Sequence, residues 1–309
     1  MKVLTTLAER DYFLGLAALL NSVAAYGSHV DKVIVGYREA LPDWLPPLQD
    51  SRHGRSFTTA SGLQVELVEL NGSLHMVHEK PKWFLHLTEV LAPEATEYFF
   101  FDSDIVINSR MSFYGEWVRQ GVALCGDVNF VFHRHHPIRR QWASFARAQG
   151  REVINELDDY YNSGFLGWTQ ETKQFIHDWN DAFAMLEPHS GDMNQFRVFD
   201  RTAVVLSTNQ DSLNLAAMIT EQPISPIGPE AMGFIYGMRL MHHPIGRKPW
   251  NRKFVPEFFQ GKPPREADLI FWEYINGTEL RPVTDGKAKN MHTLVRALRF
   301  GARFYKSLG

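Results

Sequence analysis

The sequence predicts an α/β fold, a mostly parallel central sheet flanked by helices, with a short helical appendage at the C-terminus. Three observations predict it. The first third of the chain alternates short apolar runs with helical patterns, as parallel strands and their crossover helices do. The run from Glu97 to Asp102 is apolar until it ends in carboxylates, the pattern of a central strand buried on both faces. Finally, 309 residues at 44% hydrophobic and 22% charged can fill one large core.

Lys2 to Thr6 reads as the first strand. Tyr12 to Tyr26 carries Leu16, Leu19, Leu20 and Val23 at helical spacing, and Gly27 suits its end. Lys32 to Gly36 is a second strand. Leu41 to Ser61, with Pro42, Pro46 and Pro47, reads as a long polar loop with room for one short helix. Gln64 to Val68 alternates like a third strand, and Trp83 to Leu91 is a helix that Pro93 stops. Gly121 to Cys125 and Gly164 to Trp168 are further strands; Thr172 to Leu186 and Asp211 to Ile219 are helices. Phe234 to Met241 is a last strand-like apolar run, leading into His242 and His243. Lys262 to Arg265 (KPPR) separates a domain of residues 1–261 from an appendage of residues 262–309.

A formal net charge of -3 gives no pull toward nucleic acid. The single cysteine, Cys125, has no partner in the chain, which favours a reducing compartment. The apolar stretch Tyr12 to Ala25 is interrupted by Asn21 and Ser22 and is too short to cross a bilayer. Glu9, Arg10 and Asp11 interrupt any secretory signal. A cytoplasmic protein is expected.

The sharpest motif is Asp102-Ser103-Asp104 after Phe99 to Phe101. Ligands of open α/β sheets bind beyond the carboxyl ends of strands. On a strand, residues i and i+2 point to one side. Two acids so placed repel unless a cation sits between them or one is protonated. A hard divalent ion, Mg²⁺ or Mn²⁺, takes such oxygens and completes its shell with phosphate. The bland alternative is that Asp102 caps a turn and Asp104 is solvated. Two enzyme classes place D-x-D after such a strand. In haloacid-dehalogenase-type phosphatases the motif opens the domain, whereas here a long strand–helix stretch precedes it. In nucleotide-sugar glycosyltransferases it follows a nucleotide-binding half, as here. A catalytically silent sugar-nucleotide or glycan-binding protein is the third alternative.

From Val3 to about Trp250 the sequence resembles the family-8 retaining glycosyltransferases, which include glycogenin and bacterial lipopolysaccharide galactosyl- and glucosyltransferases. Four blocks carry the resemblance: KVLTTLAERDYFLGLAALLNS, YFFFDSDIVIN, YYNSGFLGW and HHPIGRKPW. It implies a GT-A-type domain that moves a galactose- or glucose-type hexose from a UDP-sugar, with retention, to a glycan or glycolipid acceptor. Lipopolysaccharide or polysaccharide synthesis is the implied setting. Asp102, Asp104 and His243 are the implied metal ligands, for Mn²⁺ or Mg²⁺. Lys248 would contact the donor diphosphate, with Gly246, Ser103 and Ser163 in the matching blocks beside the donor. Thr5, Thr6 and Tyr12 would lie near the uridine and ribose, and Asp127 and Asn162 at the sugar hydroxyls. Asn209 to Asn214 resembles the family's D-Q-D-x-L-N block. There Gln210 would sit beside the anomeric carbon, and Asp211 would bind sugar or position its helix. Asn162, Gln210 and Asp211 are thus the implied catalytic set. Two departures stand out: Asn209 replaces the family's usual Asp, and the Gly246–Lys248 spacing is one residue short.

Breaking the C1–O bond of a nucleotide sugar leaves negative charge on the diphosphate. A cation and Lys248 would stabilise that charge, and imidazole among the ligands favours Mn²⁺. Gln210 is a poor nucleophile, so front-side attack is expected over a double displacement. His133, His135 and His136 lie among arginines and read as a basic loop. Trp83, Trp142, Trp168, Trp179 and Trp272 read as packing residues. From Leu294 onward, Arg296, Arg299, Arg303 and Lys306 share one helical face; Leu294, Val295, Leu298, Ala302, Phe304 and Tyr305 share the other. Either this helix packs on its own domain, or its apolar face lies peripherally on the inner face of an anionic membrane.

Overall fold

The computed structural model describes residues 1–27, 30–130, 132–196, 200 and 202–305, the last by its backbone. The protein is α/β, with a nine-stranded mixed, mostly parallel sheet and helices on both faces. The strands are β1 (Lys2–Glu9), β2 (Lys32–Arg38), β3 (Gln49–Asp50), β4 (Arg55–Thr58), β5 (Gln64–Glu69), β6 (Glu97–Phe101), β7 (Val106–Ile107), β8 (Val122–Gly126), β9 (Tyr161–Thr169), β10 (Ile224–Ile227) and β11 (Met241–His242). The helices are α1 (Tyr12–Ala25), α2 (Lys80–His86), α3 (Met111–Val118), α4 (Pro137–Ala148), α5 (Gln174–Leu186), α6 (Thr208–Ile219), α7 (Phe254–Phe259), α8 (Glu266–Tyr274) and α9 (Asp285–Tyr305). The sheet order is β10-β8-β9-β6-β1-β2-β5-β4-β3, while β7 and β11 form a separate antiparallel pair. Strand β9 runs antiparallel between β6 and β8, although those two belong to the parallel set.

Strand β6 is buried along its whole length because both sheet faces are covered. Its side chains alternate: Tyr98 and Phe100 enter a core with Trp83, Phe84, Trp168 and Trp179, while Phe99 and Phe101 enter the opposite core with Phe13 and Leu16. Each buried aromatic contributes roughly 2–3 kcal/mol of transfer free energy, so this strand is firmly held beneath the site. The five tryptophans read as packing residues are all buried.

Two expectations need correction. The proline-rich stretch 41–61 is not all loop: β3 and β4 pair, and β4 adds antiparallel to β5 because Phe57 reaches the core. The run Phe234 to Met241 is not a strand except at Met241–His242. Gly233 takes a left-handed φ of 72°, and the chain beyond it loops outward with Tyr236 93% exposed. Of the two alternatives for α9, packing on its own domain accounts for part of the apolar face: Val295 is buried with Phe271, Trp272 and Ile275, and Leu298 packs against that cluster, while Phe304 is 58% exposed. Of the proposed faces, Lys306 and the Tyr305 side chain lie outside the described residues.

Residues 262–305 dock on α1 through this cluster, which includes Ala18, and through the buried amide of Asn21. The Asn21 amide donates to the carbonyls of Tyr274 and Leu280 at 3.0 and 2.9 Å, and accepts from the amides of Glu279 and Leu280 at 3.0 Å each. No helix among the described residues is long and apolar enough to cross a membrane.

Candidate functional site

The site lies at the carboxyl end of β6. Asp102 and Asp104 do not share a strand face as the i, i+2 argument supposed. They sit in a tight turn between β6 and β7, closed by the Ile105 amide donating to the Asp102 carbonyl at 2.9 Å. The turn still brings both carboxylates to one place, and it presses against α1. A Cβ on Gly15 would lie 2.3 Å from the Ser103 carbonyl oxygen, so only glycine lets the helix pass.

His243 arrives from the end of β11. Its Nε2 lies 3.7 Å from an Asp102 oxygen and 3.6 Å from an Asp104 oxygen, and one ligand atom from each residue falls within 4.8 Å of the others. These gaps are too long for hydrogen bonds, and Nδ1 of the same ring is buried without a partner. Burial pushes the imidazole below its ordinary pKa, so it is held neutral as a metal ligand must be. The donor set of two carboxylates and one neutral imidazole fits Mn²⁺ or Mg²⁺. Gly164 explains part of the Asn-Ser-Gly block: a Cβ there would meet His243 Cε1 at 2.6 Å and the Asn162 side-chain oxygen at 2.8 Å.

Two lysines complete the cluster. Lys248 Nζ is 2.5 Å from Asp104 and donates to the Pro244 carbonyl at 3.2 Å. The one-residue-short spacing therefore still brings this lysine to the carboxylates, helped by Gly246 at a left-handed φ of 74°. Burial disfavours charge on both partners, but each holds the other ionised: Asp104 lies below the ordinary carboxylate range and Lys248 above the ordinary amine. Lys80, missed by sequence reasoning, is buried at the start of α2. Its Nζ is 2.7 Å from Asp102 and 2.9 Å from the Ser163 carbonyl. Nothing distinguishes it locally from Lys82, which is exposed; only the fold selects it. The four charges balance, two carboxylates against two ammoniums.

A hydrogen-bonded chain runs from this cluster. Ser163 donates its amide to the Gln210 side-chain oxygen at 3.1 Å, and Gln210 donates to Asp127 at 3.3 Å. Asp127 also accepts from Asn162 and from the Asn129 amide, both at 2.5 Å. Asn209 is buried and donates to the Ser163 hydroxyl at 2.8 Å, while its side-chain oxygen has no partner. Tyr12 begins α1, edge-on to Trp250 at 5.5 Å, with Lys248 Nζ 5.8 Å from its ring. Burial pushes its hydroxyl up to about 12. Thr6 is buried with an unpartnered hydroxyl.

Two expected site residues face elsewhere. The Thr5 hydroxyl donates to the Ile34 carbonyl and accepts from Trp83, both at 2.8 Å, so it is a tie within the core. Asp211 is fully buried. It accepts from Tyr160 at 2.5 Å and from the Leu206 and Ser207 amides at 2.6 and 2.9 Å. It therefore positions the start of α6 rather than reaching a substrate. Burial pushes its carboxyl up to about 6. In the basic loop, His133 and Arg134 are paired with Asp158.

No protein-family model matches this chain, and a search of curated proteins returns no significant match.

Proposed function

We propose that the protein is a metal-dependent, retaining hexosyltransferase of GT-A type, similar to the family-8 enzymes, using a UDP-sugar donor and a glycan or glycolipid acceptor. The observation that carries this reading is the meeting of Asp102, Asp104, His243 and Lys248, drawn from distant parts of the chain, at one end of a mostly parallel sheet.

Asp102, Asp104 and His243 would hold a divalent cation, which would supply Lewis-acid stabilisation to a departing diphosphate. Lys248 and Lys80 bring two further positive charges to that position, each released from a carboxylate partner as the anion arrives. Such preorganised charge stabilises the transition state by several kcal/mol. Tyr12 and Thr6 flank the nucleotide side; Asp127, Asn162 and Gln210 face the sugar. Asp127 already accepts three hydrogen bonds, which weakens it as a nucleophile. The acceptor oxygen therefore attacks from the side the diphosphate leaves, and its proton passes to a diphosphate oxygen.

The test is incubation of the pure protein with UDP-glucose and UDP-galactose, with Mn²⁺ and with chelator, following UDP release. Metal-dependent release that Asp104→Asn and His243→Ala each abolish supports the reading. Hydrolysis of p-nitrophenyl phosphate without any nucleotide requirement points instead to the phosphatase class. UDP binding with no turnover of any donor leaves a binding protein.

A further inference from the structure

The C-terminal quarter carries an unusual surface. Among the described residues, the exposed large apolar side chains outside 235–304 are Met1, Val90, Ile154 and Phe196 only. All others gather on the loop 234–239, α7, α9 and the segment between. Tyr236 is 93% exposed, Phe259 72% and Phe300 59%. These elements are tied together. Phe258 of α7 stands 3.6 Å from where a Gly301 Cβ would be, and Phe300 meets Phe304 edge-on at 5.2 Å. Arg239, at the base of the loop, pairs with Glu266 at 2.5 Å, and Arg299 of α9 reaches the same carboxylate at 3.6 Å.

Positive charge predominates on this surface, with Glu230 beside Gly237 of the loop as an acid that no ion pair neutralises among the described residues. Glu257, Glu266 and Asp268 are each neutralised by arginines. Lys253, Lys262, Lys289, Arg296 and Arg303 are exposed, and no ion pair joins any of them to an acid among the described residues. At about 100° per residue, Lys289, Arg296, Phe300 and Arg303 share the outward face of α9, opposite the packed Val295 and Leu298. Aromatics interleaved with unpaired cations suit a lipid headgroup layer, where rings enter the acyl boundary and guanidiniums meet phosphates. A second copy seated by two-fold symmetry would set these cations against themselves.

We propose that the outward face of α7 and α9, with the loop 234–239, docks on an anionic lipid bilayer. This differs from burial of the apolar side of α9, which the fold already uses, and it does not depend on the transferase reading. The same loop begins at Phe234, whose ring lies 5.6 Å from that of His243, so docking brings the carboxylate–histidine cluster close to the lipid surface.

The test is flotation of the full chain with vesicles of phosphatidylcholine alone and of phosphatidylcholine mixed with phosphatidylglycerol. Binding to the mixed vesicles only, released by raised salt, is expected. Arg296→Glu with Arg303→Glu weakens it by roughly tenfold or more. Phe259→Ser with Tyr236→Ser also weakens it, and Lys173→Glu, beside α5 on the opposite sheet face, leaves it unchanged. All variants are checked for wild-type circular dichroism and melting; should the double aromatic variant misfold, the charge reversal decides. The proposal is overturned if the protein stays in solution, binds both vesicles equally, or ignores the charge reversal. It is also overturned if Phe259→Ser dissociates a dimer in sedimentation while vesicle binding is absent.

Discussion

Gly164→Ala tests the claim that His243 is placed by backbone shape. The new methyl would sit 2.6 Å from His243 Cε1 and 2.9 Å from Nδ1, where ordinary contact begins near 3.4 Å. The ring must therefore retreat by about 0.8 Å, well beyond the 0.2 Å tolerance of a metal–ligand bond. Alanine is intrinsically better than glycine inside a strand by about 0.5–1 kcal/mol, so any loss of stability belongs to the clash. Overpacking of this kind costs roughly 1–3 kcal/mol, a fall in melting temperature of about 1.5 °C per kcal/mol for 309 residues. Function should suffer more than fold. Mn²⁺ affinity, measured by calorimetry with UDP present, should drop about 10- to 100-fold. UDP release should slow on the order of 100-fold. A Gly164→Ala protein that binds Mn²⁺ and turns over like the wild type refutes both the assignment of His243 and the reasoning about its placement.

Three further expectations follow from charge. With two carboxylates already balanced by Lys80 and Lys248, a divalent ion alone leaves the cluster at a surplus of two positive charges, which a diphosphate cancels. Mn²⁺ should thus bind at least about tenfold tighter with UDP than without, and UDP reciprocally; equal affinities in calorimetry would disprove the coupling. Lys80→Met removes a competing ammonium, so turnover should fall while Mn²⁺ affinity holds or rises, and a parallel fall in both contradicts its role at the diphosphate. Asp211, raised to about 6 in the fold, adds stability that is full below the ordinary Asp pKa and lost as pH rises through 6. The stability difference between wild type and Asp211→Asn should shrink by about 2 kcal/mol from pH 4 to pH 7 in urea titrations; a constant difference would show that Asp211 is ionised throughout.

The elements with strong periodicity were readable from residues alone: β1, α1, β2, β5, β6 and α5 begin and end within a few positions of their patterns. Strand direction was not, because a buried antiparallel strand such as β9 has the same apolar run as a parallel one. The 49–58 hairpin was hidden by prolines, and one residue, Phe57, supplies the burial that makes it a strand. The apolar run at 234–241 misled because composition cannot tell a core strand from an exposed loop, and the left-handed Gly233 decides the matter. Within the site, the acids could be named because a short polar motif follows an apolar strand, whereas His243 and Lys248 could be named only through the resemblance of their block to the family-8 enzymes. Lys80 could not, since its importance comes from burial against Asp102. The inward turn of Thr5 follows from Trp83, a partner far along the chain that no local pattern reveals.

Asn21 has a consequence for dynamics. One carboxamide in the middle of α1 fills its hydrogen-bonding capacity with backbone groups of residues 274–280, while the same helix passes the Asp102–Asp104 turn at Gly15. The C-terminal segment and the Asp102–Asp104 turn are therefore parts of one cooperative unit. The Glu279 and Leu280 amide protons should exchange with deuterium only at the rate of global opening, and a tug on the tail by whatever surface it rests upon would be felt at the turn that carries Asp104.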